Sequence, residues 1–176
     1  MKLNIGCGEN KLEGYVNVDI EESVKPDLAI DVRKEAFPYE NNSIEEIICT
    51  HNIEHIEYRF HPIILTEFHR VLTPQVGRLI LAYPEFEICS KYFLSNHKGL
   101  KDFWRATLYG RQLYPGDYHV TPMLTSDLII LLTNIGFKEI KFGPEENEDY
   151  NTFLVCYKGN KARSHEDLLR EEIFNK

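Results

Sequence analysis

The sequence predicts an α/β domain built on a mostly parallel sheet. Three observations carry this reading. Short apolar segments recur with turn signals and helical stretches between them, glycines or an acid close the early segments, and only the last two segments are joined as a hairpin. Strands that alternate with helices pack as a parallel sheet, whereas a hairpin adds an antiparallel edge pair.

The first strand is Lys2-Leu3-Asn4-Ile5, closed by Gly6-Cys7-Gly8, and the second is Tyr15-Val16-Asn17-Val18, closed by Asp19-Ile20. Only Glu9 to Gly14 join them, although a parallel crossover normally takes a dozen or more residues. At about 3.3 to 3.6 Å per extended residue, such a link can run back along a short strand without a helix. The first crossover helix is therefore short or absent, and part of one sheet face is left uncovered. Leu28-Ala29-Ile30 before Asp31 reads as the third strand, and Ile44 to Cys49, after the Asn41-Asn42 turn, as the fourth. A helix follows, with Pro62 in its first turn, Ile64, Phe68, Val71 and Leu72 at helical spacing, and Pro74 and Gly77 closing it. Arg78 to Ala82 is a buried fifth strand. Thr125 is the candidate N-cap of a helix over Leu128 to Ile135 that Gly136 stops. Glu139 to Phe142 and Thr152 to Tyr157 form the final hairpin across the loop Pro144 to Asn151.

A chain of 176 residues with 43% hydrophobic and 27% charged residues reads as one domain with a proper core, here residues 1–160, followed by a tail over 161–176. No apolar run approaches the roughly 20 residues of a membrane span, and the N-terminus lacks a charged-then-apolar signal pattern, so a cytoplasmic protein with no membrane partner is expected. The net charge of -8, with no Lys/Arg cluster, argues against a nucleic-acid partner, whose phosphates call for a basic face. Cys7, Cys49, Cys89 and Cys156 are widely spaced and contain no CxxC pair, which reads as reduced thiols.

Glycines after one strand and an acid ending the next make a nucleoside-binding layout. A dinucleotide site wants GxGxxG and an acid about 20 residues further on. Here Lys11 takes the third glycine position and Asp19 comes too early, so a ligand with ribose and no pyrophosphate fits better. With Leu3-Asn4-Ile5-Gly6-Cys7-Gly8 and Gly14-Tyr15-Val16-Asn17-Val18-Asp19, the chain resembles the class I S-adenosylmethionine-dependent methyltransferases, specifically the small bacterial methyltransferase-11-like type, over roughly Lys2 to Tyr157. The resemblance implies a Rossmann-like, mostly parallel seven-stranded sheet with an antiparallel edge hairpin, and S-adenosylmethionine as cofactor. It implies Gly6, Cys7 and Gly8 at the methionine half, Asp19 and Ile20 at the ribose, Asp31 and Val32 at the adenine, and His51 and Asn52 in the loop beside the cofactor. Asn4 stands where the family usually has an acid, so it brings no charge to attract the sulfonium. Gly6 and Gly8 equally suit any strand-to-loop turn, and Asp31-Val32 any strand-to-helix turn.

His51-Asn52-Ile53-Glu54-His55 also matches HxxEH, the inverted zinc-protease pattern. That reading needs an active-site helix and a third ligand, and here the motif directly follows a strand, so no metal is expected. The Asn/Asp-Pro-Pro-aromatic motif of methyltransferases acting on adenine or glutamine is replaced by Thr50-His51-Asn52-Ile53, which argues against such acceptors. Residues 85–122 hold Tyr92, Phe93, Phe103, Trp104, Tyr109, Tyr114 and Tyr118 among Arg105, Arg111 and His119. The family's substrate-covering insertion lies at this position. Most of these aromatics are expected in a satellite core, while Tyr83, Tyr109, Arg111 and Tyr118 are the candidate substrate contacts. His119 is the candidate general base, with a surface histidine capping a turn as the alternative. The tail from Ser164 to Phe174 reads as an amphipathic helix that packs on its own chain or on a partner subunit in a homodimer.

The expected function is methyl transfer from S-adenosylmethionine to a small or medium polar acceptor at oxygen or nitrogen, such as a sugar or secondary metabolite. Two alternatives stand beside it: a non-catalytic nucleoside-binding or scaffold protein with a degenerate site, and a zinc hydrolase through HxxEH.

Overall fold

The computed structural model describes residues 1–143 and 150–159. Seven strands form one sheet: β1 (Lys2–Ile5), β2 (Val16–Asp19), β3 (Leu28–Ala29), β4 (Glu46–Thr50), β5 (Arg78–Pro84), β6 (Phe137–Phe142) and β7 (Asn151–Lys158), in the order β3-β2-β1-β4-β5-β7-β6. The first five are parallel, and β7 runs antiparallel between β5 and β6. Strand order reverses at β1, whose neighbours are β2 and β4, so a ligand crevice is expected beyond the carboxyl ends of these strands. The fold class and the edge hairpin match the sequence reading. The loop 144–149 and the proposed tail helix lie outside the described residues.

Register explains the core. Leu3, Ile47, Leu79 and Cys156 sit side by side across β1, β4, β5 and β7, as do Ile5, Cys49, Leu81 and Leu154 in the next such row, and all are buried. This face packs with Ile64, Leu65 and Phe68 of α1 (His61–Val71) and Leu128 and Leu132 of α4 (Thr125–Ile135). On the other face Ile48, Ile80 and Val155 are only half-buried. Among the described residues this is the less covered face, and the link from β1 to β2 adds no helix to it.

The link itself is held by side chains rather than by a helix. Asn17 on β2 accepts from the Leu12 N–H (2.8 Å) and from Asn4 Nδ2 (3.0 Å), and its own amide donates to Asp27 Oδ2 (2.9 Å). Asn4 Nδ2 also donates to the Asn10 carbonyl. Both asparagines are buried. They supply the backbone partners that a crossover helix would have provided within itself.

One sequence assignment needs adjustment. Helix α4 begins at Thr125 itself, and the cap is supplied from outside by Glu85, whose carboxylate accepts from the Thr125 N–H (3.2 Å) and from its hydroxyl. Residues 85–122 are largely helical, with α2 (Phe86–Ser95) and α3 (Lys101–Tyr109) packed together around Tyr92, His97, Trp104 and Tyr150. This is the satellite core expected for the aromatics. Only 110–122 returns as an irregular segment over the sheet. No helix among the described residues is long and apolar enough to cross a membrane.

Candidate functional site

A cleft of about 530 Å³ opens where β1 to β4 end. Its floor and one side are Gly6, Gly8, Asp19, Ile20, Asp31, Val32, Arg33, His51 and Asn52, and its other side is His55, Glu57, Tyr114, Gly116, Tyr118 and Val120. A volume of this size lies in the usual range for small-ligand sites.

Backbone geometry shapes the floor. Gly6 holds φ +66°, and a Cβ there would lie 2.1 Å from Asn52 Nδ2, so only glycine lets the loop after β4 lie across the end of β1. Asn52 in turn accepts from the Cys49 thiol, 3.7 Å away. Asp19 ends β2 with each oxygen fixed by one backbone donor, Gly8 N–H on Oδ2 at 2.8 Å and Glu21 N–H on Oδ1 at 2.9 Å. A carboxylate oxygen has a second lone pair, so both remain able to accept from a diol. Asp31 also faces the cleft, but Arg33 grips it through two hydrogen bonds (2.8 and 3.0 Å) and Lys34 pairs with it at 2.9 Å. These bonds, the Arg33 one foremost, hold its carboxyl well below the usual range.

The opposite wall is tied to the loop after β4. Val120 and Thr121 N–H groups donate to the Glu54 carbonyl (2.9 and 3.2 Å), the Thr121 hydroxyl donates to the Ile56 carbonyl (2.6 Å), and His55 Nδ1 meets the Tyr118 carbonyl at 3.0 Å. Beneath, the buried His61 Nε2 bonds the carbonyls of Ile53 and Ile56.

Several predicted site residues are placed elsewhere. Asn4 is buried in the network under the short link and does not line the cleft. Cys7 is 3% exposed and meets the site only through its backbone, since its N–H bonds the Val18 carbonyl. Tyr83 is fully buried because it continues the inward alternation of Leu79 and Leu81, and its hydroxyl lies 3.0 Å from Thr125 Oγ1; it is a core residue, not a substrate contact. Tyr109 ends α3 away from the cleft wall, where its carbonyl accepts from the His119 N–H. Arg111 is exposed and pairs with the buried Asp117 (3.3 Å), which places it as a brace of its own loop. Of the substrate candidates, Tyr118 lines the cleft.

His119 does not line the cleft either. Its ring packs edge-on against His55, with centroids 4.7 Å apart, beside Glu54. Burial lowers its pKa, opposed by the Glu54 carboxylate. HxxEH occupies a strand end and one 3-10 turn over Ile53–His55 rather than an α-helix, so His51 and His55 do not share a helix face as the protease pattern requires. His119 stands beside Glu54 and His55, with one ligand atom of each within 4.8 Å of the others, a cluster that does not include His51. Arg33, Glu57 and Tyr114 were missed as wall residues. Tyr114 was visible as one of the insertion's aromatics, whereas Arg33 and Glu57 carried no spacing signal.

No family model and no curated protein matches the sequence. Among solved structures, the chain is similar to an S-adenosylmethionine-dependent methyltransferase from Archaeoglobus fulgidus, with TM-score 0.64 and 16% identity over 89% of this chain and 85% of that one. It is also similar to a protein of Pyrococcus horikoshii (TM-score 0.61, 16% identity, 89% and 81% covered) and to an S-adenosylmethionine-dependent methyltransferase of Methanosarcina mazei (TM-score 0.58, 14% identity, 91% and 92% covered). The chain has the class I methyltransferase fold.

Proposed function

We propose that the protein transfers a methyl group from S-adenosylmethionine to a small or medium polar acceptor, through an oxygen or nitrogen nucleophile. The observation that carries this reading is Asp19: an acid at the carboxyl end of β2, braced by two backbone donors and still able to accept from the two ribose hydroxyls. Ile20 and Val32 offer apolar faces to a base, and Asp19 and Glu21 on the wall add acid beyond the Asp31 and Glu57 that Arg33 already pairs, which favours a cationic ligand. The bound cofactor supplies a methyl already activated by its sulfonium. The chain's task is then to hold the acceptor in line and to exclude water, which Tyr114, Tyr118 and Val120 do from the opposite wall. The acidic chain supports a small-molecule acceptor over a nucleic acid.

The test is calorimetry with S-adenosylhomocysteine. Binding is expected in the wild-type protein, and Asp19→Ala should weaken it by roughly 10- to 150-fold, the loss of charged hydrogen bonds worth about 1.5 to 3 kcal/mol. Unchanged affinity in the variant removes Asp19 from the site and the reading with it. The scaffold reading draws on the grip of Arg33 and Lys34 on Asp31, which competes with an adenine amine; binding without turnover across acceptor panels would favour it.

A further inference from the structure

Behind the cleft wall, Glu54 is buried (1% exposed), and neither oxygen of its carboxylate has a hydrogen-bond partner. A carboxylate taken out of water without partners is costly, and such groups are held by a charge or a metal. The nearest basic group is exposed His51, whose Nδ1 stands 3.5 Å from Glu54 Oε1. His55 and His119 complete the surroundings: one ligand atom from each of Glu54, His55 and His119 lies within 4.8 Å of the others. His55 is also anchored at one ring nitrogen, by the Tyr118 carbonyl. A neutral imidazole that donates from one nitrogen keeps its lone pair on the other, and this is how metal-ligating histidines are oriented.

We infer that Glu54, His55 and His119 form a binding site for a divalent metal of the zinc class, bordering the cleft through His55. Two imidazoles and one carboxylate are a borderline-soft set that suits zinc, iron, cobalt or nickel, whereas magnesium and calcium prefer oxygen alone. Bond lengths of about 2.0 to 2.1 Å place tetrahedral ligands about 3.3 Å apart, so each ligand atom need move inward by only about 1 Å. Three protein ligands leave a position open. Glu54 and His119 line a small pocket behind the cleft wall, and His55, which belongs to both the cluster and that wall, is the ligand that borders the space assigned to the acceptor. Its role, though not its existence, rests on the methyl-transfer reading. An acceptor hydroxyl that takes the open position gives up its proton to solvent more readily, as metal-bound water does, and this favours an oxygen acceptor over a nitrogen one.

The experiment uses chelator-stripped protein titrated with zinc sulfate, and separately with magnesium chloride, alongside S-adenosylhomocysteine binding. One zinc per chain is expected. His119→Gln and the near-isosteric Glu54→Gln should each weaken zinc by 100-fold or more, with wild-type melting of the stripped proteins showing that both fold. His119 does not line the cleft, so His119→Gln should leave S-adenosylhomocysteine affinity near wild-type. Absence of stoichiometric zinc, zinc affinity in the variants unchanged from wild type, or preference for magnesium overturns the site. Zinc binding without S-adenosylhomocysteine binding would instead sink the methyl-transfer reading and leave the metal site standing.

Discussion

Gly6 joins two requirements in one residue. Its left-handed backbone costs an L-residue about 1 to 2 kcal/mol, and a Cβ would enter the space of the Asn52 amide. Gly6→Ala should therefore lower stability by at least that amount, measured by thermal melting, and displace Asn52 from the cleft floor. Adding Asn52→Gly should return the steric part of the loss and leave the backbone part, whereas Asn52→Ala keeps a Cβ 2.7 Å from the new one. A Gly6→Ala protein that melts like the wild type would show that the turn tolerates a side chain. This residue, like Asp19, was legible in the sequence because its need is local: a chain turning sharply after a strand, and an acid where a strand ends. Tyr83 was not legible, because whether a residue near a strand end points inward depends on register with strands far away. His119 was seen as a candidate base, but its company was hidden, since the contact with Glu54 and His55 is made only when 110–122 folds back over the loop after β4.

The link between β1 and β2 shows an element replaced by a side chain. Asn17 holds it through bonds to Asn4, Leu12 and Asp27, so Asn17→Ala should destabilise the protein by about 2 to 3 kcal/mol, with partners left unsatisfied. Urea unfolding measures the loss, and hydrogen exchange at the Leu12 amide should lose protection before the core does. Equal protection at Leu12 in the variant would mean that other contacts hold the link. The absence of a crossover helix followed from counting residues. The Asn17 network did not, because an asparagine in a strand reads as a poor strand former until its partners are known. The cap of α4 was similarly hidden: Thr125 drew the eye as the capping type, and the acceptor is Glu85, brought there by the end of β5.

Across the whole molecule, stability depends on pH through buried imidazoles. His69 on α1 is 1% exposed and packs edge-on against Phe137 of β6. Burial, then the Lys158 ammonium, lowers its pKa to about 4. Its unfolded value is near 6.5, so between these values the unfolded chain binds the extra proton and folding weakens as pH falls. The contribution is intact above about pH 6.5 and is lost progressively toward pH 4, by up to roughly 3 kcal/mol. Buried His61 acts with the same sign. His69→Leu should flatten the fall in melting temperature between pH 6.5 and 4; an unchanged profile would assign the acid sensitivity elsewhere. Strand count, sheet sense and the edge hairpin were readable from the spacing of apolar segments and turns. The half-bare second face was readable only as a consequence of the short link, because the sequence names no described element that would cover it.

Hydrogen bonds between His55 and the Tyr118 carbonyl, and from Val120 and Thr121 to the Glu54 and Ile56 carbonyls, tie this wall of the cleft to the loop after β4, which also carries His51 and Asn52 of the facing side. Under the proposed methyl transfer, a cofactor held at His51 and Asn52 and an acceptor held at Tyr118 and Val120 would share a mechanical support. Whatever free energy the first contributes to ordering that support, the second gains, and the reverse holds by the same amount. The two substrates of such a cleft meet as reciprocal effectors before they meet as reactants.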